Sequence, residues 1–244
     1  MAETTVGGLR AVELYFRPIR NISTGGITFF QSLTRLNTPG LGTLQPESFR
    51  EVSEVTTQCT DLFRLELLQG IEVVKKFEER EVHFEWLTVY MPVRFLLEIR
   101  ADRTLLEYCD KYEIPTGKLC FTLSDRLLME QDNIAAERLQ ALRARGFHFM
   151  LTDFGADNCP LMRLAGFPVD YVMLSPEVIQ YIGKNERSNN AVHSIVDFAD
   201  DMGAKPIADG VSDSRQAETL YEFGCSYCAG PLSGSYQPEE EYGK

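Results

Sequence analysis

The chain has 244 residues, 44% of them hydrophobic, and a formal net charge of −12. That length suits one domain of α/β-barrel size, and the acidic balance argues against direct DNA binding and against attachment to a membrane surface. No apolar run approaches the roughly 18 residues of a membrane-spanning helix, and no charged stretch followed by an apolar one opens the chain, so neither a span nor a secretory leader is expected, and a cytoplasmic location is.

Residues 1–10 read as an N-terminal arm, 11–238 as one barrel domain unbroken by repeats or linkers, and 239–244 as an acidic tail with Glu239, Glu240 and Glu241 in solvent. Leu14 to Ile19 is predicted as a strand, and Gly25-Gly26 turns the chain into a second, antiparallel strand from Ile27 to Leu36. Asn37 to Pro46 reads as loop. From Ser48 the spacing is helical, with Leu62, Leu65, Leu68, Ile71 and Val74 as the apolar face. Phe84 to Met91 reads as an alternating strand that Pro92 ends, followed by helix through Leu96, Leu97, Leu105 and Tyr108.

Leu119 to Leu123 is the next predicted strand, and Ile134, Leu139 and Leu142 mark a helix that stops near Gly146. Phe147 to Leu151 and Val169 to Leu174 are strands, with Pro176 opening a short helix after the second. Ala191, Ile195, Val196 and Ala199 mark a helix, Lys205 to Ala208 a strand, Arg215 to Phe223 a helix, and Cys225 to Cys228 the last short strand. After the first hairpin strands and helices alternate, about eight strands in all, which implies a mostly parallel sheet. A closed barrel is favoured over an open doubly wound sheet, because no glycine-rich phosphate turn follows a first strand.

The six cysteines read as reduced, mostly buried thiols. Cys225-Ser226-Tyr227-Cys228 forms a lone C-x-x-C without the further soft ligands a zinc site needs, and the structural reading is favoured over a redox one. His83, His148 and His193 lie far apart and read as structural or surface groups, and Trp86 as core.

The most informative segment is Leu151-Thr152-Asp153-Phe154-Gly155-Ala156-Asp157, an apolar run that breaks into a polar, glycine-containing loop. That is how the C-terminal end of a buried parallel strand reads, where barrel enzymes keep their chemistry. The segment resembles the D-D-F-G-T-G of EAL-domain cyclic-di-GMP phosphodiesterases. Other marks follow in the same order: Arg17-Pro18-Ile19 is similar to Q-P-I, Gln31-Ser32-Leu33-Thr34-Arg35 to E-A-L-x-R, Phe167-Pro168-Val169-Asp170 to L-P-V-D, and Ala208-Asp209-Gly210-Val211 to A-E-G-V. The resemblance runs from about Tyr15 to Pro238 and implies a modified TIM (β/α)8 barrel with one antiparallel strand near its N-terminus.

Members of that family hydrolyse cyclic-di-GMP with two Mg²⁺ or Mn²⁺ ions, which need oxygen ligands, chiefly carboxylates. Here the resemblance puts other residues at the ligand positions. Gln31 stands for the E-A-L glutamate, Tyr90 for an asparagine, Thr122 and Asp125 for two glutamates, and Thr152 for the first of two aspartates, the second surviving as Asp153. Met173 and Ser175 replace a lysine and an aspartate, Asp209 shortens the glutamate thought to act on the water, and Ala229 replaces the glutamine of a late Q-G-Y. These positions are vestigial on this reading, with no catalytic residue, bound metal or other cofactor expected. Asp125, Asp153 and Asp209 could compose an alternative metal site, but helix capping or solvation is the favoured reading.

Arg35 could hold a phosphate bidentately. Arg17 either binds an anion or pairs with a surviving aspartate in place of lost metal charge, and the pairing is favoured. The resulting expectation is a catalytically inactive EAL-like domain acting as a protein-interaction or regulatory module in bacterial signalling, with an unidentified protein partner and homodimer formation open. A cyclic-di-GMP receptor that binds without hydrolysis is the alternative, and an active phosphodiesterase with a rearranged metal set stands behind it.

Overall fold

The computed structural model describes residues 5–6, 9–123, 132–156 and 161–243. β1 (Thr5–Val6) and β2 (Leu9–Arg10) pair antiparallel, so part of the expected arm is paired strand. β3 (Val12–Asn21) and β4 (Ile27–Thr38) form the predicted antiparallel pair. The stretch read as loop contains β5 (Gly42–Leu44), which folds back on the end of β4. Two helices follow, α1 (Pro46–Glu54) and α2 (Gln58–Glu79), then β6 (Trp86–Tyr90), α3 (Val93–Leu96), α4 (Ala101–Tyr112) and β7 (Leu119–Leu123). The second half runs α5 (Asp132–Arg143), β8 (His148–Phe154), β9 (Tyr171–Leu174), α6 (Pro176–Ile179), α7 (Glu186–Asp201), β10 (Lys205–Ala208), α8 (Ser214–Glu222) and β11 (Tyr227–Cys228).

The strands close into a ring in the order β3-β11-β10-β9-β8-β7-β6-β4, with β4 pairing back onto β3. From β4 to β11 the neighbours are parallel, and β3 alone in the ring runs against both of its neighbours. This is the expected barrel with its antiparallel strand near the N-terminus. Most barrel strands lie between a filled interior and a helical shell, which is why Leu119–Leu123 is buried at every position and why β6 shows no real alternation of exposure.

The interior is filled by Ile19, Phe29, Trp86, Cys120, Met150, Tyr171, Met173, Ile207 and Ala229, one cluster separate from the larger core under the helices. Phe29 stacks on Trp86 with ring centroids 3.9 Å apart, and Tyr171 meets both rings edge-on. Phe29 therefore plugs the barrel, and Trp86 is core. Outside, α2 lies close against β6 at Gly70, where a Cβ would stand 2.8 Å from Val89 Cγ2.

The helix at α2 is as predicted, but its face is only partly so, with Ile71 and Val74 buried as read. Leu65 is 37% exposed, while the buried stripe is Phe63, Glu66, Leu67, Gly70, Ile71 and Val74. The solvated-tail reading of 239–244 also needs correction. Glu239 is buried, accepting from Lys76 Nζ and from Arg80 Nη1 at 2.5 Å, so its carboxylate answers two cations at the end of α2. The chain around it straps β3, on which α2 also packs, with Gln69 Nε2 donating to Val12 O at 2.8 Å. Phe16 and Gln237 exchange backbone hydrogen bonds at 2.8 Å, and Tyr242 Oη donates to Phe16 O at 2.8 Å. Glu240 and Glu241 are exposed, as expected.

Candidate functional site

Side chains on a strand return to the same face every second residue, so the layer above the barrel plug is fixed by the plug itself. Stepping two residues toward the mouth leads from Phe29 to Gln31, from Cys120 to Thr122, from Met150 to Thr152, from Tyr171 to Met173 and from Ile207 to Asp209. On β3, which runs the other way, the same step leads from Ile19 back to Arg17. Those six residues line one cavity of about 570 Å³ at the C-terminal ends of the parallel strands, together with Tyr90 and Asp153. Tyr236 and the α1 residues Glu47, Arg50, Glu51 and Glu54 form its rim.

Arg17 crosses this mouth. Its Nε donates to Gln31 Oε1 at 2.7 Å and its Nη2 to Asp209 Oδ2 at 2.6 Å. The guanidinium also lies 4.8 Å from the centre of the Tyr236 ring. The Arg17 and Asp209 side chains are only 13% and 17% exposed, so the pair acts where water screens it poorly. Asp209 Oδ1 is buried with no hydrogen-bond partner. Burial pushes the Tyr236 hydroxyl up to about 12, although Arg17 pulls the other way, so the phenol stays protonated.

A second cation is fixed beside the first. Arg50 on α1 pairs with Glu66 at 2.5 Å, donates to Thr34 Oγ1 at 2.7 Å, and lies 4.1 Å over the Tyr90 ring. Glu66 is fully buried on α2, so this pair ties α1 to the barrel and sets one wall of the mouth. Asp153 sits at the end of β8 with φ of +57°, beside a register break between Leu151 and Phe154. That left-handed turn, which aspartate tolerates better than most residues, leaves Asp153 exposed at the cavity.

Of the residues singled out from sequence, Arg17, Gln31, Tyr90, Thr122, Thr152, Asp153, Met173 and Asp209 are brought together here. Three are elsewhere. Ser175 is buried as the N-cap of α6, accepting from the Val178 backbone N–H, and Ala229 belongs to the barrel plug. Arg35 does not line the cavity; its guanidinium lies 3.7 Å over the Tyr15 ring. Asp125 lies outside the described residues. Among the described residues no three His, Cys, Asp or Glu side chains gather as a metal ion would require.

Sequence reading missed Arg50, Glu66, Thr34 and Tyr236. The signal for Arg50 was present in the spacing of Glu47, Arg50, Glu51 and Glu54, one face of a helix. Glu66 gave no signal, since a charge inside an apolar helix pattern is ordinarily assigned to solvent. Cys225 and Cys228 are both buried, and burial raises both thiols, Cys225 to about 12, which disfavours the thiolate form.

Comparison with known proteins places this geometry. A family model described as "EAL domain" matches residues 8–235. Over 238 residues the chain is 26% identical to the cyclic di-GMP phosphodiesterase RocR of Pseudomonas aeruginosa, covering 94% of this chain and 58% of RocR. It is 25% identical to the cyclic di-GMP phosphodiesterase PdeB of Shewanella oneidensis over 244 residues, which is 94% of this chain and 27% of PdeB. The chain thus spans only part of the length of these relatives. Among solved structures, the PaMucR phosphodiesterase in complex with c-di-GMP superposes with a TM-score of 0.82 at 19% identity, covering 95% and 94% of the two chains. The FimX EAL domain from Pseudomonas aeruginosa bound to c-di-GMP gives 0.80 at 17% identity, covering 94% and 92%. At these identities the structural likeness establishes the fold.

Proposed function

This chain belongs to the EAL domain family, and from that premise we propose that it is a catalytically inactive member, serving bacterial signalling as a protein-interaction or regulatory module. The observation that carries the reading is the side-chain set of the mouth layer. Splitting a phosphodiester with two divalent ions takes several anionic oxygens around metals about 3.5–4 Å apart. The strand ends here offer an amide at Gln31, a phenol at Tyr90, hydroxyls at Thr122 and Thr152, and a thioether at Met173. Of the two carboxylates the strand ends add, Asp153 and Asp209, the second is already paired with Arg17 at 2.6 Å. Such a donor set does not fit two Mg²⁺ or Mn²⁺ ions, and no step through them is drawn.

Binding of cyclic-di-GMP without cleavage is the second reading, and the FimX EAL domain solved with c-di-GMP favours it. The lining weighs against it. Glu47, Glu51, Glu54, Asp153 and Asp209 line the same cavity as Arg17 and Arg50, and both of these arginines are held in ion pairs rather than left open to a dianionic ligand.

The test is incubation of the protein with cyclic-di-GMP and Mn²⁺, followed by chromatography for the linear product, beside calorimetric titration with the dinucleotide. No product and no heat of binding at micromolar concentration are expected. Turnover that disappears in Asp153→Asn overturns the inactive reading, and micromolar binding without turnover puts the receptor in its place.

A further inference from the structure

We infer that the barrel mouth and the outer side of α1 form one docking surface for a basic segment of a protein partner, with an arginine or lysine side chain entering the cavity. The inference names the partner's chemistry for the interaction module proposed above and rests on that reading.

Charge decides the sign of the occupant. Five carboxylates, Glu47, Glu51, Glu54, Asp153 and Asp209, line the cavity with two guanidiniums, Arg17 and Arg50. Arg50 is paired with Glu66, a further carboxylate outside the lining. The excess is therefore negative whichever lining groups pair with each other, and it belongs to a chain of formal net charge −12. A field of that sign concentrates cations at the opening and speeds their arrival. The carboxylates also converge. Burial leads in raising the Tyr236 hydroxyl, and Asp209, Glu47 and Asp153 add to the rise from three separate parts of the chain.

The walls suit a guanidinium in particular. Both arginines already there lie over tyrosine rings, Arg17 4.8 Å from the centre of Tyr236 and Arg50 4.1 Å from that of Tyr90, and each also meets a carboxylate. A carboxylate at its edge and an aromatic ring on its face are the two partners a planar guanidinium takes. The cavity of about 570 Å³ lies within the roughly 300–1,000 Å³ of sites that take a small ligand, so a long basic side chain fits inside.

The surroundings select a polypeptide over a free polyamine. Glu47, Glu51 and Glu54 recur at helical spacing on the mouth side of α1, and Val55 and Val52 follow round the same helix, both exposed. A peptide laid along α1 covers the valines while its basic side chains meet the glutamates, whereas a polyamine leaves the valines in water.

The probe is a fluorescein-labelled octapeptide of alternating arginine and leucine, titrated with the protein and read by anisotropy. Saturable binding that weakens with added salt is expected, and the same peptide with glutamate for arginine should not bind. Glu47→Gln/Glu51→Gln should weaken binding about five-fold or more. Val52→Ser/Val55→Ser should weaken it about three-fold. Glu218→Gln/Glu222→Gln, which removes equal charge from α8 away from the cavity, should leave it unchanged within about two-fold. All six altered side chains or their residues are at the surface or rim, and near-ultraviolet circular dichroism checks that each variant is folded.

A loss in the α8 variant as large as in the α1 glutamate variant, or no loss in either, overturns the inference, because the attraction is then only that of the net charge. So does spermine binding as tightly as the peptide, which makes the occupant a small polyamine, and so does binding of the glutamate peptide. Turnover of cyclic-di-GMP sinks the inactive reading instead, and the two failures are distinguishable because the titration contains no nucleotide.

Discussion

Moving from Ile207 to Asp209, from Cys120 to Thr122, or from Phe29 to Gln31 covers two residues of one strand and crosses between two regimes. The lower layer is an aromatic and aliphatic plug, with Phe29, Trp86 and Tyr171 in mutual contact and no charge. The upper layer is polar and is ordered by cations, Arg17 between Gln31 and Asp209, and Arg50 between Thr34, Glu66 and the Tyr90 ring. The plug is held by non-directional burial, which tolerates repacking. The mouth is held by paired charges, which do not tolerate loss of one partner. The strand register is shared, so the plug sets where the mouth residues point, while the mouth residues alone set what the opening binds.

The sharpest way to break this division is to damage each layer separately. Trp86→Ala removes the largest side chain of the plug and should cost about 3–5 kcal/mol, at the upper end because its neighbours are rings that cannot collapse into the space. In a chain of this length that lowers the melting temperature by roughly 6 °C or more. Glu66→Ala strands the Arg50 guanidinium in a mostly buried place and should cost about 3 kcal/mol. The double variant Arg50→Met/Glu66→Leu should recover much of that loss, because two apolar groups need no partner. A double variant less stable than Glu66→Ala would show that the pair supports α1 through shape rather than charge.

The barrel was legible in the sequence because its strands announce themselves as short apolar runs between turn residues. Leu119–Leu123 and Lys205–Ala208 lie where the pattern puts them, and Pro176 opens α6 as expected. The alternating part of the mouth was legible once the family pattern fixed the register. What failed was the phase of α2. Apolar residues at 62, 63, 65, 67 and 68 support more than one stripe, and only the β6 surface meeting Gly70 decides between them. Glu66 was hidden for that reason, and its partner Arg50 lies on a different helix. The Arg17–Asp209 pair spans 192 positions; sequence favoured a pairing of Arg17 with a surviving aspartate, as found, but over that separation could not say which one. Glu239 was misread as solvated because nothing in a run of three glutamates says that two cations at the end of α2, Lys76 and Arg80, await the first.

That last correction supplies a smaller test of the comparison, away from both layers. Glu239→Ala removes the acceptor for Lys76 and Arg80 on the strap over β3. Both cations are about a third exposed, so solvent offsets much of the pairing, and a loss of about 1 kcal/mol is expected. The strap should loosen locally, seen as faster amide exchange at Phe16 and Gln237, whose backbone bonds it carries. Unchanged exchange there would mean that Tyr242, donating to Phe16 O, anchors the strap without help.

The smallest expected effect lies at the other end of the plug, where His148 begins β8. Burial lowers its pKa below the ordinary 6.5, and although Asp170 and Glu85 pull upward, Lys205 and Arg143 reinforce the fall. A base with a lowered folded-state pKa is protonated more readily in the unfolded chain, so between the two values the unfolded state holds more protons and stability falls as pH falls. His148 therefore withdraws stability from about pH 6.5 downward and is silent above neutrality. In His148→Gln the melting temperature should fall less between pH 7 and pH 5 than in wild type, with the two curves converging in slope above pH 7. Parallel curves through that window would show that burial does not lower the His148 pKa.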